Sequence, residues 1–251
     1  MSDQQWQERS TTSWISAVAG VMVVLWGSVS AQQPSPVREL GIKYMRDSGE
    51  YAALARQTYR LAGDAVMREV GAERRAWTVV LDIDETALDN STYELERAAY
   101  GLPFDAPSWN AWVERRQAAA VPGAAEFVAL VRRSHGHVAW ISNRDVVVAD
   151  ATRANLTTAG LWNQDDRLCL QKTAQETKAG RRREIVSGTG DCGWPATPMR
   201  VMAFVGDQLG DFPDSAEQIP QTGDDSVFGR TCFLLPNSMY GGWTSRVTRV
   251  R

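Results

Sequence analysis

Short apolar runs alternate with amphipathic segments along most of this 251-residue chain. Five of the runs are mainly hydrophobic, which is typical of strands covered on both faces of a sheet: 77–81, 137–141, 168–170, 201–205 and 232–235. The segments that separate them have the pattern of helices: 122–136, 146–159 and 177–185. Another helix is predicted to begin at Ser48. Strands alternating with helices predict an α/β fold, with a parallel sheet and helices on both of its faces.

Two parts of the chain fall outside this alternation. Residues 88–121 interrupt it and contain Trp109 and Trp112, so we expect a small, mainly helical lobe over one edge of the sheet. Residues 10–36 carry no charge and have an apolar centre at 14–26. We therefore divide the chain into a leader at 1–31, a linker at 32–47 and one domain at 48–251.

The leader has two interpretations, a cleaved signal peptide or a retained membrane anchor. Val29 and Ala31 suit a small-residue cleavage rule, which favours the signal peptide. The residues before the apolar segment include Asp3, Glu8 and a single base, Arg9, so they are less positive than the start of a usual export signal. This supports the alternative of a retained anchor. Both interpretations predict an exported domain, periplasmic or secreted. Membrane contact is expected only through this segment, if it is not cleaved.

Composition narrows the function classes further. The chain is 43% hydrophobic and 23% charged, as in ordinary globular proteins, and its net charge of -3 gives no reason to expect a nucleic acid polymer as partner. The three cysteines allow at most one internal disulfide. Cys169 and Cys232 lie in apolar runs, which favours buried thiols, and no two cysteines have the spacing of a zinc site. The composition neither favours nor excludes a homo-oligomer.

Polar residues collect where the predicted strands end. In parallel sheets the carboxyl ends of the strands share one edge, and ligands bind there. The residues expected at this edge are mostly carboxylates, joined by a hydroxyl, an amide and an amine: Asp82, Asp84, Ser142, Asn143, Lys178, Asp207 and Asp211.

So many acids at one edge indicate a metal-assisted phosphoryl chemistry. Two ionised carboxylates at contact distance repel by roughly 1–4 kcal/mol, a penalty that a divalent cation removes. Hard oxygen ligands without His or Cys select Mg²⁺. Such a cation beside Lys178 and a hydroxyl suits a phosphate group. Asp82 is then the predicted nucleophile, and Asp84 is the acid that protonates the leaving oxygen and the base that activates water.

The ordered set of motifs resembles a known superfamily. The segment VLDIDET at 80–86 resembles the first motif of haloacid dehalogenase (HAD) phosphatases, and Ser142, Lys178 and 206–211 resemble the second, third and fourth. More narrowly, the chain is similar to the bacterial class C, lipoprotein-type nonspecific acid phosphatases and 5'-nucleotidases. The similar segments lie between about 48 and 243: 48–55, 88–91, 109–113, 121–124, 142–144 and 235–243.

The resemblance implies a HAD-like Rossmannoid fold and a role for each matched residue. Asp82 would be the nucleophile, and Asp84 would be the acid and base and would offer its backbone carbonyl to Mg²⁺. Asp207 and Asp211 would complete the protein's share of the metal ligands. The phosphoryl oxygens would be held by Ser142, Asn143 and Lys178. The chain departs from the family pattern in two ways: the leader lacks a lipoprotein cysteine, and Gly210 replaces an expected acid.

Three of these assignments have alternatives. Another basic residue, Lys172 or one of the arginines at 181–183, is the alternative to Lys178 at the phosphate. The alternative for Asp211 is that it only caps the helix that follows it. Trp109 and Tyr240 are predicted to stack on a nucleobase, with packing in the small lobe as the alternative.

The prediction is therefore an exported, Mg²⁺-dependent acid phosphatase acting on phosphomonoesters, in particular nucleoside 5'-monophosphates. The alternatives are a sugar-phosphate phosphatase and a poorly active surface protein that binds phosphate ligands.

Overall fold

A five-stranded parallel sheet forms the centre of the protein in this computed structural model, which describes residues 36–71, 73, 75–213 and 226–245. Its strands are β1 (Trp77–Leu81), β4 (His137–Asp145), β5 (Arg167–Gln171), β6 (Arg200–Gly206) and β7 (Cys232–Leu234). They are ordered β5-β4-β1-β6-β7, so β1 lies in the middle. Every residue of β1 is buried, as its unbroken apolar sequence requires. The predicted α/β fold with a parallel sheet is confirmed.

Seven α-helices surround the sheet in the described part of the chain: α1 (Pro36–Asp47), α2 (Gly49–Val70), α3 (Ser91–Ala99), α4 (Ala106–Glu114), α5 (Ala124–Arg133), α6 (Ala149–Thr158) and α7 (Lys178–Ser187). Helix α2 begins where the sequence predicts, because the Ser48 hydroxyl accepts a hydrogen bond from the Tyr51 backbone N–H at 3.0 Å. Its buried residues recur every three or four positions, for example Tyr51, Ala55, Tyr59 and Ala62, and join the main core. No described helix combines the length and apolar content that crossing a bilayer requires.

The segment expected as a small lobe contains α3 and α4. Two short antiparallel strands, β2 (Leu88–Asp89) and β3 (Ala119–Ala120), pair across its base. Tyr93 and Trp112 of this segment pack into the same hydrophobic cluster as the sheet and α2. Residues 88–121 therefore share the core of the main domain while they stand beside the carboxyl edge of its sheet.

Part of the expected linker at 32–47 is helical instead. Helix α1 buries Ile42 and Met45 in the main core, and the Ser238 hydroxyl donates to the Gly41 carbonyl at 2.8 Å. A side chain on Gly41 would collide with the Ser238 carbonyl, so the two segments depend on glycine for their close approach. The linker prediction is thus wrong for 36–47. The leader at 1–31 and residues 32–35 lie outside the described residues.

Candidate active site

A cavity of about 520 Å³ opens at the carboxyl edge of the sheet. Eight of the nine residues that the sequence predicts for the site line it: Asp82, Asp84, Trp109, Ser142, Asn143, Lys178, Asp207 and Tyr240. The ninth, Asp211, lines an adjoining cavity together with Asn143 and Lys178. The edge of the sheet therefore gathers residues that are far apart in the chain, as the strand-end rule predicts.

Asp82 follows directly after β1 and is buried, and its backbone N–H donates to Val205 of β6 at 3.0 Å. The ammonium of Lys178 lies 2.5 Å from Asp82 Oδ1 and 2.5 Å from Asp211 Oδ1. Burial raises the pKa of Asp82, and the Lys178 charge opposes that shift. Burial alone would lower the pKa of Lys178, but the two carboxylates outweigh it and raise it. Lys178 is therefore a charged amine held against the candidate nucleophile.

The neighbouring arginines take other roles. Arg181 donates to the Ser142 carbonyl at 2.5 Å and to Asn143 Oδ1 at 2.6 Å, while Arg182 donates to the Gly210 carbonyl at 3.0 Å. Lys178 is the first residue of α7, whose N-cap Thr177 accepts from the Gly180 N–H at 3.1 Å. The positive end of a ten-residue helix thus faces the cavity beside the Lys178 ammonium, which favours an anion there.

Asp82, Asp207 and Asp211 each direct one carboxylate oxygen to a common point, with the three oxygens within 4.8 Å of one another. The donors are oxygen atoms only, so the group fits a hard divalent cation. Asp207 Oδ2 accepts hydrogen bonds from Gln208 Nε2 at 2.7 Å and Asn237 Nδ2 at 2.8 Å. Burial and the nearby Asp211 nevertheless raise the pKa of Asp207 to about 6. Without a cation, burial and the neighbouring carboxylate therefore favour the protonated form of Asp207.

Asp211 caps the 3₁₀ turn that contains it and also lies among the acids of the site. Its Oδ2 accepts the Gln208 N–H at 2.8 Å within the turn Leu209–Asp211, while its Oδ1 accepts from the Lys178 ammonium at 2.5 Å. A Cβ on Gly206 would lie only 2.4 Å from Asp211 Cβ, so this approach requires glycine at the end of β6.

The carboxylate of Asp84 lies among a different set of partners. Its Oδ1 accepts from Arg144 Nε at 2.9 Å and Asn90 Nδ2 at 3.0 Å, and its Oδ2 accepts from the Ser142 hydroxyl at 3.0 Å. Strand β4 continues to Asp145, beyond the predicted end at 141, so Ser142 and Arg144 alternate with Asn143. The first two are buried and contact Asp84, whereas Asn143 is exposed.

Aromatic side chains form another wall of the cavity. Trp109 and Phe104 line it from the helical segment, with ring centroids 6.1 Å apart, and Tyr240 lines it from the loop after β7. The Arg144 guanidinium lies 5.7 Å from the centroid of Trp109. Trp112 does not line the cavity; it is buried, and its indole N–H donates to Asn90 Oδ1 at 2.9 Å.

Sequence reasoning missed several residues of this site. Gln208 and Asn237 orient Asp207, and Arg38 of α1, paired with Glu94 at 3.1 Å, lines the far side of the cavity. Asn237 follows the fifth strand of the sheet, so the strand-end rule, applied to β7 as well, would have found it. Arg38 carries no such signal, because it lies in the segment whose sequence predicts a linker.

Comparisons with known proteins identify the family of this chain. The sequence profile of the HAD superfamily, subfamily IIIB (Acid phosphatase), matches residues 1–243. The fold is similar to that of the class C acid phosphatase from Bacillus anthracis, with a TM-score of 0.70, 27% identity, and coverage of 82% of this chain and 86% of that one. A second structure of the B. anthracis enzyme, with tungstate bound, matches at 26% identity with the same TM-score and coverage. The chain therefore belongs to the acid phosphatases of HAD subfamily IIIB, which are phosphomonoester hydrolases.

Proposed function

We propose that this acid phosphatase is exported, requires Mg²⁺ and hydrolyses nucleoside 5'-monophosphates through a phospho-Asp82 intermediate. The proposal rests on one observation: the same cavity contains charged side chains suited to a phosphate and aromatic side chains suited to a nucleobase. Asp82 and Lys178 supply a nucleophile and a cation for the phosphate, while Trp109 and Tyr240 supply ring faces for a base. The uncharged stretch at 10–36, with its apolar centre at 14–26, supports export.

In the first half of the proposed reaction an Asp82 carboxylate oxygen attacks phosphorus, and the ester P–O bond breaks. Lys178 and the N-terminus of α7 stabilise the negative charge on the phosphoryl oxygens. Asp84 gives a proton to the departing oxygen. Because Arg144 and Asn90 occupy Oδ1 of Asp84, the proton is held at Oδ2, beside the Ser142 hydroxyl.

In the second half Asp84, now ionised, removes a proton from water, and the resulting nucleophile attacks the phosphoryl group on Asp82. Inorganic phosphate leaves, Asp82 is restored, and the proton is again at Asp84. Asp84 must be protonated at the start of each cycle, which fits activity on the acidic side of neutral.

The proposed Mg²⁺ ligands are carboxylate oxygens of Asp82, Asp207 and Asp211 and the backbone carbonyl of Asp84. When bound, the ion supplies positive charge at the phosphoryl oxygens. The hydrogen bonds from Gln208 and Asn237 to Asp207 Oδ2 leave Oδ1, which also accepts from Thr86 at 3.2 Å, as the oxygen directed to the ion.

Metal binding should stabilise the protein more at pH 7 than at pH 5. The pKa of Asp207 is about 6 in the folded protein against 3.8 for the free side chain, so the stability contributed by its neutral form is full below about pH 4 and is lost as the pH rises through 6. The loss is roughly 3 kcal/mol without a cation. Mg²⁺ binds the ionised form and offsets that loss. We therefore expect the rise in Tm on replacing EDTA with Mg²⁺ to be larger at pH 7.

Differential scanning calorimetry at the two pH values, with and without Mg²⁺, measures this effect. Asp207→Asn is the matched variant, since it removes the ionisation and keeps the size of the side chain; its Mg²⁺-dependent rise should be small at both pH values. An equal rise at pH 5 and pH 7 in the unaltered protein would contradict the assignment.

Trp109→Ala should reduce kcat/KM for adenosine 5'-monophosphate by roughly 10–100-fold, because stacking on an aromatic ring contributes about 1–3 kcal/mol per base. Hydrolysis of glucose 6-phosphate should stay within about threefold, since a sugar lacks the base that stacks. Steady-state phosphate release with both substrates measures the effect. Trp109→Phe, which keeps a ring, should retain most of the nucleotide activity.

Trp162→Ala is the matched control, since Trp162 packs beside Arg153 on α6 and does not line the cavity. It should leave the ratio of the two activities unchanged. An equal loss on both substrates in Trp109→Ala would favour the sugar-phosphate alternative and assign Trp109 to packing with Tyr93, whose ring centroid lies 5.0 Å away.

A further inference from the structure

Two of the three cysteines lie together on the side of the sheet that α7 covers. Cys169 is in β5 and Cys192 follows α7, and both are buried in one hydrophobic cluster with Ile185 of that helix. The two thiols are close enough to interact, and this interaction contributes to the raised pKa of the Cys169 thiol. The acid phosphatase chemistry uses neither of them.

The segment around Cys192 is held along β5 by contacts that do not involve sulfur. Arg167 Nε donates to the Gly193 carbonyl at 3.2 Å, and the Trp194 indole N–H donates to the Asp165 carbonyl at 3.1 Å. The Cys192 backbone N–H donates to Glu184 Oε2 at 3.0 Å. The two residues after Cys192 are thus fixed against residues two and four positions before Cys169, so the fold brings the two cysteines together.

Cys232 cannot be the partner of either thiol in the folded protein. It lies in β7, and β5 and β7 are the opposite edges of the five-stranded sheet. Four strand spacings of about 4.8 Å separate these edges by roughly 19 Å. A disulfide requires Cα atoms about 4.4–6.8 Å apart. Cys232 is buried in a separate cluster with Phe212.

We propose that Cys169 and Cys192 form a disulfide when the chain folds in the presence of a disulfide oxidant, and that Cys232 remains a free thiol. One thiolate attacks the external disulfide and displaces a thiol, and the second thiolate then attacks the resulting mixed disulfide and displaces the other. Two protein thiols are oxidised, one external disulfide is reduced to two thiols, and the two protons go to the released thiols.

The timing of the reaction follows from burial. The hydrogen bond with Cys192, together with burial, raises the pKa of the Cys169 thiol in the folded protein. A buried, protonated thiol reacts slowly. Oxidation therefore takes place during folding, before α7 covers the pair.

The disulfide would restrain α7, the helix that carries Lys178. The chain from Cys169 to Cys192 contains all of α7, so the disulfide closes a loop around the helix whose first residue contacts Asp82 and Asp211. Closing a loop of this size restricts the unfolded chain. We expect reduction to lower the Tm by roughly 5–10 °C.

The test is to refold the full chain in a buffer of reduced and oxidised glutathione, denature it, alkylate the free thiols and map its tryptic peptides without reduction. We expect one alkylated cysteine, Cys232, and a linked pair of peptides, 168–172 and 184–200, that separates on reduction. Cys192→Ser should lose both the linked pair and the effect of reductant on Tm, whereas Cys232→Ser should keep both.

Three alkylated cysteines after this treatment, or a linkage that includes Cys232, would overturn the proposal. If Cys192→Ser fails to fold, the peptide map of the unaltered chain still decides the question. None of these readouts depends on phosphatase activity or on export, so they are independent of the proposed function.

Discussion

Asp82→Asn should lower kcat for phosphomonoester hydrolysis by roughly 10⁴-fold or more, the loss expected when a covalent nucleophile is removed. The amide has the shape of the carboxylate but lacks the charge to attack phosphorus. Lys178 keeps its contact with Asp211, so its ammonium stays near the cavity. Release of inorganic phosphate from adenosine 5'-monophosphate with Mg²⁺ present measures the loss.

Two controls separate lost chemistry from lost structure. Asp150→Asn changes an aspartate whose side chain is 95% exposed and far from the cavity lining, and it should leave kcat unchanged. Binding of tungstate to Asp82→Asn, followed by calorimetry, should remain measurable, because Lys178 and α7 still attract a tetrahedral anion. Residual activity within tenfold of the unaltered enzyme would rule out Asp82 as the nucleophile.

Asp84→Asn should produce a different defect, a loss of roughly 10²–10⁴-fold in kcat that depends on the leaving group. A nitrophenolate leaves without a proton, so phosphorylation of Asp82 by 4-nitrophenyl phosphate should persist. Dephosphorylation should be slow, because water lacks its base. Stopped-flow measurement should therefore show a burst of one equivalent of nitrophenol per site, followed by slow turnover.

An alkyl phosphate should show no burst with this variant, since its leaving oxygen needs a proton that the substituted amide cannot supply. The unaltered enzyme should turn over both substrates. A difference between the two substrates in the variant is therefore caused by the substitution of Asp84. Equal losses on both substrates without a burst would contradict a role of Asp84 in proton transfer. They would show instead that Asp84 holds Ser142, Arg144 and Asn90 in position.

The sheet and the positions of its acids were predictable because two simple rules apply to them. Continuous apolar runs mark buried parallel strands, and residues after such strands share an edge. Asp82 and Asp207 follow their strands directly, so sequence position alone places them together. Their roles at that edge remain predictions until the variants are measured.

The rest of the site could not be predicted, because the sequence does not show in which direction a side chain points. Sequence could not decide between Lys178 and Arg181, since both are on the first turn of α7. In the fold Lys178 reaches Asp82, whereas Arg181 reaches carbonyls of β4 and β5. Helix α1 was missed for a related reason: Ile42 and Met45 make a narrow apolar stripe that is stabilised by packing on the core and on the loop at Ser238.

The central position of β1 has a consequence for how the enzyme acquires activity. The contact between Lys178 and Asp82 joins residues 96 positions apart, and the one between Thr86 and Asp207 joins residues 121 apart. Such contacts form only after large chain loops have closed, which makes them slow and late in folding. A newly synthesised chain therefore has no catalytic centre until its last strands dock, and phosphatase activity reports completed folding.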